Sequence, residues 1–203
     1  FEGVTLLAGA SALEDYNRTQ PTKAGSLQRA LRDFLADVKG QYDVTLLDCP
    51  PNLQLCTWNA LIASDFVLVP LQPEDFGGQG ITSIQRFVDL ALQTENSRLR
   101  LLGYLITQKK RRSLHTAYEK QLRALYGSLV VENVFADRKD YAEAVSARKP
   151  VSFYKPGSDA SQEMSAIAQE LLNRVPESLS RPVQFLHVEN RMNARTTPIL
   201  EVA

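Results

Sequence analysis

A carboxylate ends one of the apolar runs in the first quarter of the sequence. Residues 44–47 are followed directly by Asp48, and Pro50 and Pro51 then restrict the turn that comes next. In open α/β sheets ligands bind beyond the carboxyl ends of the strands, where a carboxylate can hold Mg²⁺ through water beside nucleotide phosphates. Asp48 could instead cap the helix that follows. The spacing alone leaves both roles open.

The densest positive charge in the chain is the basic run, Lys109-Lys110-Arg111-Arg112, which precedes a predicted helix. Four adjacent cations can neutralise several phosphates of a nucleic acid without reading its sequence. Because cations oppose the dipole at a helix N-terminus, this placement favours a binding role, although a solvated charged loop is the alternative. The 23 basic residues balance 23 acidic ones, so overall charge favours neither interpretation.

Three glycines, Gly77, Gly78 and Gly80, are spaced so that they could suggest a phosphate cradle. They lack the lysine and the Gly-x-x-x-x-Gly-Lys spacing of a P-loop. A flexible entrance to the following helix is therefore the better interpretation.

Two cysteines and a histidine complete the side chains with reactive or metal-binding chemistry. Cys49 and Cys56 match neither a redox pair nor a zinc site, so we expect ordinary thiols that are buried or half-buried. His115 has no metal-binding or nucleophilic partner nearby in sequence, and we expect it at the surface.

The composition sets limits on the class of protein. The longest apolar stretches are far shorter than the roughly 20 residues that span a bilayer, so we predict no membrane segment. No secretory signal is recognisable, and the start at Phe1 suggests a fragment or a processed chain.

The elements that must position these residues follow from apolar periodicity. Short apolar runs predict buried strands at residues 4–8, 44–47, 66–69, 101–107 and 130–135. Apolar residues at helical spacing predict helices over residues 26–39, 53–63, 81–93, 114–126, 141–147 and 161–174. This alternation predicts an α/β fold of three layers, a mainly parallel sheet with helices on both faces. We expect one domain over 1–175 and an extended or partly disordered tail over 176–203.

Residues 42–80, YDVTLLDCPPNLQLCTWNALIASDFVLVPLQPEDFGGQG, contain a strand ending in Asp-x-Pro-Pro, a helix with Asn-Ala-Leu and a strand running into Val-Pro-x-Gln. This ordered set resembles the Walker B region of the ParA family of partitioning ATPases. Residues 99–107, LRLLGYLIT, and 143–171, EAVSARKPVSFYKPGSDASQEMSAIAQEL, resemble later parts of the same family. The resemblance implies a P-loop NTPase-like fold that is incomplete at its N-terminus.

The resemblance also implies roles for the residues after each strand. Asp48 corresponds to the Walker B carboxylate that orders Mg²⁺ through water, as a catalytic and metal-binding residue. Gln72 and Glu74 correspond to a loop that approaches the nucleotide and the dimer partner. Plain loop polarity is the alternative for both of these residues.

Adenine contacts in the family come from the ends of later strands, which correspond here to Thr107 and Gln108 and to Phe135, Ala136 and Asp137. Ala136 stands where the family usually has proline, so the second contact departs from the pattern. These residues could also do no more than end a strand and pack a helix.

The resemblance further implies ATP and Mg²⁺ as cofactors, a homodimer, non-specific DNA, a ParB-like partner and a cytoplasmic, nucleoid-associated location. Arg138 and Lys139 would extend the DNA-binding surface of the basic run. The family's phosphate loop has no counterpart in these residues, so we expect the chain alone not to hydrolyse ATP. A non-catalytic interaction module is the alternative. A MinD-like membrane switch ranks last, because prolines interrupt the end of the chain.

Overall fold

The structure is a computed structural model that describes residues 3–73 and 78–176. Its sheet contains two parallel strands, β1 (Phe66–Leu71) and β2 (Arg100–Ile106). Val67 pairs with Leu101, but the next residue of β1 pairs with Gly103, so β2 carries one extra residue at this point. The bulge lies beside the one glycine of the strand.

A third extended segment, residues 130–136, follows the other edge of β2. The Val131 N–H donates to the Tyr104 carbonyl at 2.9 Å, and the Phe135 N–H donates to the Ile106 carbonyl at 2.8 Å. Only isolated parallel bridges form here. The strand predicted over 130–135 is therefore extended and correctly placed, but it is not a regular strand.

Two of the predicted strands are wrong. Residues 4–8 and 44–47 form no ladder in the described part of the chain. Their apolar side chains face solvent, with Leu6 87% and Leu46 90% exposed. An apolar run shows that a segment can be buried, whereas a strand also needs a neighbouring strand to pair with, and the described residues provide none at these two places.

The helices agree better with the apolar periodicity. They are α1 (Leu13–Tyr16), α2 (Ala30–Asp37), α3 (Leu55–Ala63), α4 (Gly78–Thr94), α5 (Ser113–Tyr126), α6 (Lys139–Ser146), α7 (Val151–Tyr154) and α8 (Asp159–Arg174). The helix predicted over 26–39 begins as a 3₁₀ helix, Gly25–Arg29, and α7 lies where the sequence predicted no helix. No described helix is long and apolar enough to cross a membrane.

Helices cover β2 from both sides. Tyr104 and Ile106 pack with Tyr118 and Leu122 of α5, whereas Leu105, between them in sequence, packs with Ile167 of α8. Successive strand residues point to opposite faces, so α5 and α8 lie on opposite sides of β2. The carboxyl end of β2 is therefore held between two helices.

One buried side-chain amide connects the helices in the N-terminal part of the chain. The Asn59 side chain donates to the carbonyls of Leu27 and Leu55 and accepts from the Leu31 N–H. Its single amide group thereby satisfies backbone groups at the start of α2 and within α3. The predicted Asn-Ala-Leu helix has its asparagine here, in a packing role.

Candidate functional site

Asp48 follows residues 44–47 without regular secondary structure, and it is exposed. The helix that follows, α3, has Gln54 as its N-cap, with no side-chain cap hydrogen bond. Asp48 therefore does not cap this helix, and the capping alternative is wrong. Its proposed magnesium role stays a prediction.

The base-contact candidates Thr107, Gln108 and Phe135 line one cavity of about 480 Å³. The remaining walls come from β2 and α8, through Leu105, Met164, Ile167, Ala168 and Leu171. The two strand ends that the sequence singled out thus meet at a single, largely apolar concavity. Ala136 and Asp137 do not line it.

Thr107 and Gln108 form the rim of this cavity at the end of β2. The Thr107 N–H and hydroxyl both donate to the Leu71 carbonyl, at 2.8 and 3.3 Å, which ties the ends of β1 and β2 together. Gln108 is exposed and has a left-handed backbone, with φ of 52°. The chain turns sharply here and enters the basic run.

Phe135 forms the opposite wall and is supported by α6 and α8. Its ring stacks on Tyr141 at a centroid distance of 4.2 Å. The single Tyr141 O–H is shared between two acceptors, the Glu163 carboxylate at 2.9 Å and the Ala160 carbonyl at 3.0 Å. Burial, together with the neighbouring Glu163 carboxylate, raises the pKa of Tyr141, so this hydroxyl stays protonated and acts as a donor.

Ala136 and Asp137, which follow Phe135, are held in place by backbone hydrogen bonds. The Ala136 N–H donates to the Glu163 carboxylate at 2.9 Å, and the Asp137 N–H donates to the Lys109 carbonyl at 3.0 Å. The Lys109 N–H in turn donates to the Phe135 carbonyl at 3.1 Å. These bonds hold the loops after β2 and after residues 130–135 side by side.

Gln72 is exposed just beyond β1 and lines a small depression with Pro73, Gln108, Lys110 and His115. Glu74 and Gly77 lie outside the described residues. Gly78 and Gly80 lie in the first turn of α4, as the helix-entrance interpretation predicts.

His115 is not at the surface, so that expectation is wrong. Its side chain is 1% exposed, and Nδ1 accepts from the Lys110 N–H at 3.0 Å. The signal was present in the sequence, because positions 115, 118 and 122 have helical spacing and all three are buried on one face of α5. This imidazole fixes the backbone of the basic run.

The expectation of buried or semi-buried thiols is met only in part, because Cys56 is half-buried whereas Cys49 is exposed. Both thiols are free, and desolvation raises the pKa of both. No group of three or more potential metal-ligating His, Cys, Asp or Glu side chains occurs in the parts of the chain that the structure describes.

The predicted DNA-binding cations lie on two adjacent loops but differ in their surroundings. Lys109 forms an ion pair with Glu119, and Lys110 lies 3.9 Å from Asp137. Burial raises the pKa of Glu119, but the bonds from Lys109 and Arg123 outweigh it, and the net pKa is lowered. Arg111, Arg112 and Lys139 are exposed.

Arg138 is paired with two carboxylates of α8. Its Nε donates to Glu163 at 3.1 Å and its Nη1 lies 3.4 Å from Asp159. The hydrogen bond that Arg138 donates to Glu163 raises the pKa of Arg138. Sequence reasoning missed Glu163 and Tyr141, because their partners lie about 20 residues away along the chain.

Comparison with known proteins shows which family the chain resembles. The profile of a family described as an AAA domain matches residues 1–101. The chromosome partitioning protein ParA of Caulobacter vibrioides is 37% identical over 147 residues, which is 71% of this chain. The chromosome-partitioning ATPase Soj of Thermus thermophilus is 37% identical over 150 residues, 73% of the chain. The chain belongs to the ParA/Soj family of partitioning ATPases.

Solved structures support a P-loop ATPase fold for this ParA/Soj chain. A plasmid partition protein from Borrelia burgdorferi B31, bound to AMPPNP, aligns with a TM-score of 0.65 and 19% identity over 82% of this chain and 63% of that one. Cobyrinic acid a,c-diamide synthase from Mycobacterium smegmatis, with bound ADP and magnesium, aligns with a TM-score of 0.50 and 29% identity over 64% of this chain and 55% of that one.

The match covers only part of these relatives. The chain spans 55% of the length of the Caulobacter protein and 59% of the length of the Thermus protein.

Proposed function

We propose that this chain is the base-facing, magnesium-facing and DNA-facing part of a ParA-type ATPase that partitions plasmid or chromosomal DNA. The observation that carries the proposal is the meeting of two loops at one end of β2. They contribute Thr107, Gln108 and Phe135 to one cavity, while the basic run and Arg138 stand on the same loops. Neighbouring segments of the chain would thus bind the nucleotide and the DNA.

The proposed nucleotide site places the adenine in the cavity, and Ala136 and Asp137, which do not line the cavity, would contact the base from the loop beside it. The cavity's apolar walls suit a planar base, and Thr107 and Gln108 supply polar groups at its rim. Asp48 would order Mg²⁺ through water, and Gln72 and Glu74 would face the nucleotide and a second subunit. The full fold is proposed to be a three-layer α/β sandwich with a mainly parallel sheet.

Phosphoryl transfer needs groups that these residues do not supply. No glycine in the sequence is followed by lysine, so the pattern that grips the β- and γ-phosphates does not occur in it. Without such donors the main electrostatic stabilisation of the transition state is missing. We therefore expect these 203 residues alone to release phosphate from ATP no faster than the uncatalysed background.

The proposed partners follow from the family. One subunit would bind DNA weakly and without sequence preference, a homodimer formed with ATP would bind it more tightly, and a ParB-like protein would stimulate its release. The site of action would be the nucleoid in the cytoplasm.

The DNA-binding part of the proposal is tested by charge reversal in the 203-residue chain. Arg111→Glu combined with Arg112→Glu reverses two exposed cations. We expect at least a tenfold loss of affinity for duplex DNA at about 50–100 mM salt, and a salt dependence weaker by about one unit per lost phosphate contact. Fluorescence anisotropy with duplexes of unrelated sequence measures both quantities.

The matched control changes charge away from the loops. Lys39→Glu alters an exposed cation beyond α2. If the control weakened DNA binding as much per charge as the Arg111 and Arg112 reversal, or if that reversal had no effect at any salt concentration, the proposed DNA surface would be wrong.

A further inference from the structure

One carboxylate lies where the candidate cavity and the candidate DNA surface meet. Glu163, in the second turn of α8, is 14% exposed and accepts from three donors. Its Oε1 accepts from the Ala136 N–H and the Tyr141 hydroxyl, both at 2.9 Å, and its Oε2 accepts from Arg138 Nε at 3.1 Å. All three donors belong to residues 136–141.

These three donors, one of them the cationic Arg138, match the two oxygens of a carboxylate. A largely buried carboxylate is costly unless it is paired and hydrogen-bonded, and Glu163 is both. The other partner of Arg138, Asp159, is 82% exposed and 3.4 Å away, so solvent screens that pair. Glu163 is therefore the group that holds the Arg138 guanidinium against the protein.

The same carboxylate also supports the wall of the cavity. Phe135 lines the cavity and stacks on Tyr141, whose hydroxyl donates to Glu163. Met164, the next residue in the helix, lines the cavity directly. A change at Glu163 therefore reaches both the predicted base-contact segment and a predicted DNA-binding cation.

We propose that Glu163 is a positioning residue that withholds Arg138 from DNA phosphates while it fixes residues 135–138 against α8. The inference rests on the proposed function for its DNA readout. While Arg138 is bonded to Glu163 it does not contact DNA, and the affinity for DNA rises when that bond is broken. In its present position the guanidinium is already neutralised, so it adds little to the attraction of a phosphate backbone.

The test is Glu163→Gln in the 203-residue chain. The amide oxygen can still accept from Ala136 and Tyr141, but the charge facing Arg138 is lost. We expect three- to tenfold tighter binding to duplex DNA at low salt and a salt slope steeper by about one, as one more phosphate contact forms. A purely structural role for Glu163 would instead weaken binding.

Matched variants isolate the pair. Asp159→Asn removes the exposed partner of Arg138 and should change DNA affinity less than twofold. Arg138→Gln should abolish the gain from Glu163→Gln when both are combined, which a double-mutant cycle measures. A gain that persists without Arg138 would overturn the inference.

A second readout does not depend on DNA. A dicarbonyl reagent modifies accessible guanidinium groups, and peptide mass mapping gives the rate at Arg138. We expect faster modification in Glu163→Gln and an unchanged rate in Asp159→Asn. If Arg138 reacts at the same rate in Glu163→Gln as in the chain without substitutions, Glu163 does not withhold Arg138.

Two further outcomes separate the restraint of Arg138 from DNA binding. Faster modification without any change in DNA affinity would show that Arg138 is restrained but does not bind DNA. No DNA binding at all, with faster modification, would count against the proposed function and leave the restraint standing.

Discussion

Glu170 shows how a single side chain can organise a loop in this protein. Its carboxylate accepts from the backbone N–H groups of Glu132 and Asn133, from the Asn133 side chain and from Arg174. Burial raises the pKa of Glu170, but these four hydrogen bonds outweigh it and lower the pKa to about 2. The ionised form is therefore part of the native structure.

This predicts a pH dependence of stability. The native pKa lies below the ordinary value, so the contribution of Glu170 is complete above about pH 4.5 and is lost as the pH falls towards 2. Glu170→Gln should lower the free energy of unfolding by about 2–3 kcal/mol at pH 7. Urea denaturation at several pH values measures the difference.

The control is an exposed glutamate of α1, outside the hydrogen bonds of Glu170. Glu14→Gln, at an exposed position of α1, should leave the profile unchanged. The gap between the unmodified chain and Glu170→Gln should close between pH 4.5 and pH 2. A gap that stays constant over this range would contradict the assignment to Glu170.

Individual residues were only partly predictable from sequence. Thr107, Gln108 and Phe135 were recognisable because they follow apolar runs, and the structure brings them to one cavity. The burial of His115 was visible in its helical spacing, but the lack of a metal-binding or nucleophilic partner nearby in sequence suggested the surface. Glu163 was invisible, because nothing local marks which carboxylate on a helix meets a distant loop.

At the level of elements, side chains of α8 bond backbone groups that a neighbouring strand would otherwise bond. Glu163, Ile167, Glu170 and Arg174 recur at helical spacing and face residues 129–138. The carboxylates accept from N–H groups that would otherwise require another strand. Helices were predicted well because their periodicity is local, whereas strands at 4–8 and 44–47 failed because pairing depends on distant segments.

Gly103 of β2 lies close to two other segments of the chain. A Cβ there would lie 2.6 Å from the Leu129 carbonyl oxygen and 2.9 Å from Arg174 Nη1. Gly103→Ala should therefore lower the free energy of unfolding by about 2–3 kcal/mol, because backbone atoms must move apart. Thermal unfolding followed by circular dichroism measures the change.

Gly9→Ala is the matched substitution, since a Cβ at Gly9 makes only an ordinary 3.6 Å contact with Leu13. It should change stability by less than about 0.5 kcal/mol. Equal effects of the two alanines would show that the close approach at Gly103 is not decisive.

For the whole molecule, the apolar surface is unevenly distributed. Leu6, Leu7 and Leu46 are 87%, 74% and 90% exposed, whereas the sides of β2 are buried. Contiguous exposed apolar surface promotes association. The sequence predicted these residues as core, and in the described chain they are surface.

Leu46→Ser tests this placement. We expect a change in the free energy of unfolding below about 0.5 kcal/mol and less self-association in light scattering. Leu122→Ala, at a core residue that is 3% exposed, should cost about 2–5 kcal/mol by contrast. A loss above about 1 kcal/mol for Leu46→Ser would mean that this side chain is covered in solution.

The carboxylates of α8 have one more consequence. Because Glu163 and Glu170 occupy outward N–H groups along residues 132–136, that border of the sheet is chemically closed. β1 has no such cover on the side away from β2 among the described residues. Additional strands can therefore pair with the sheet on one side only. The edge at β1 can accept a further strand, whereas the edge at residues 130–136 cannot.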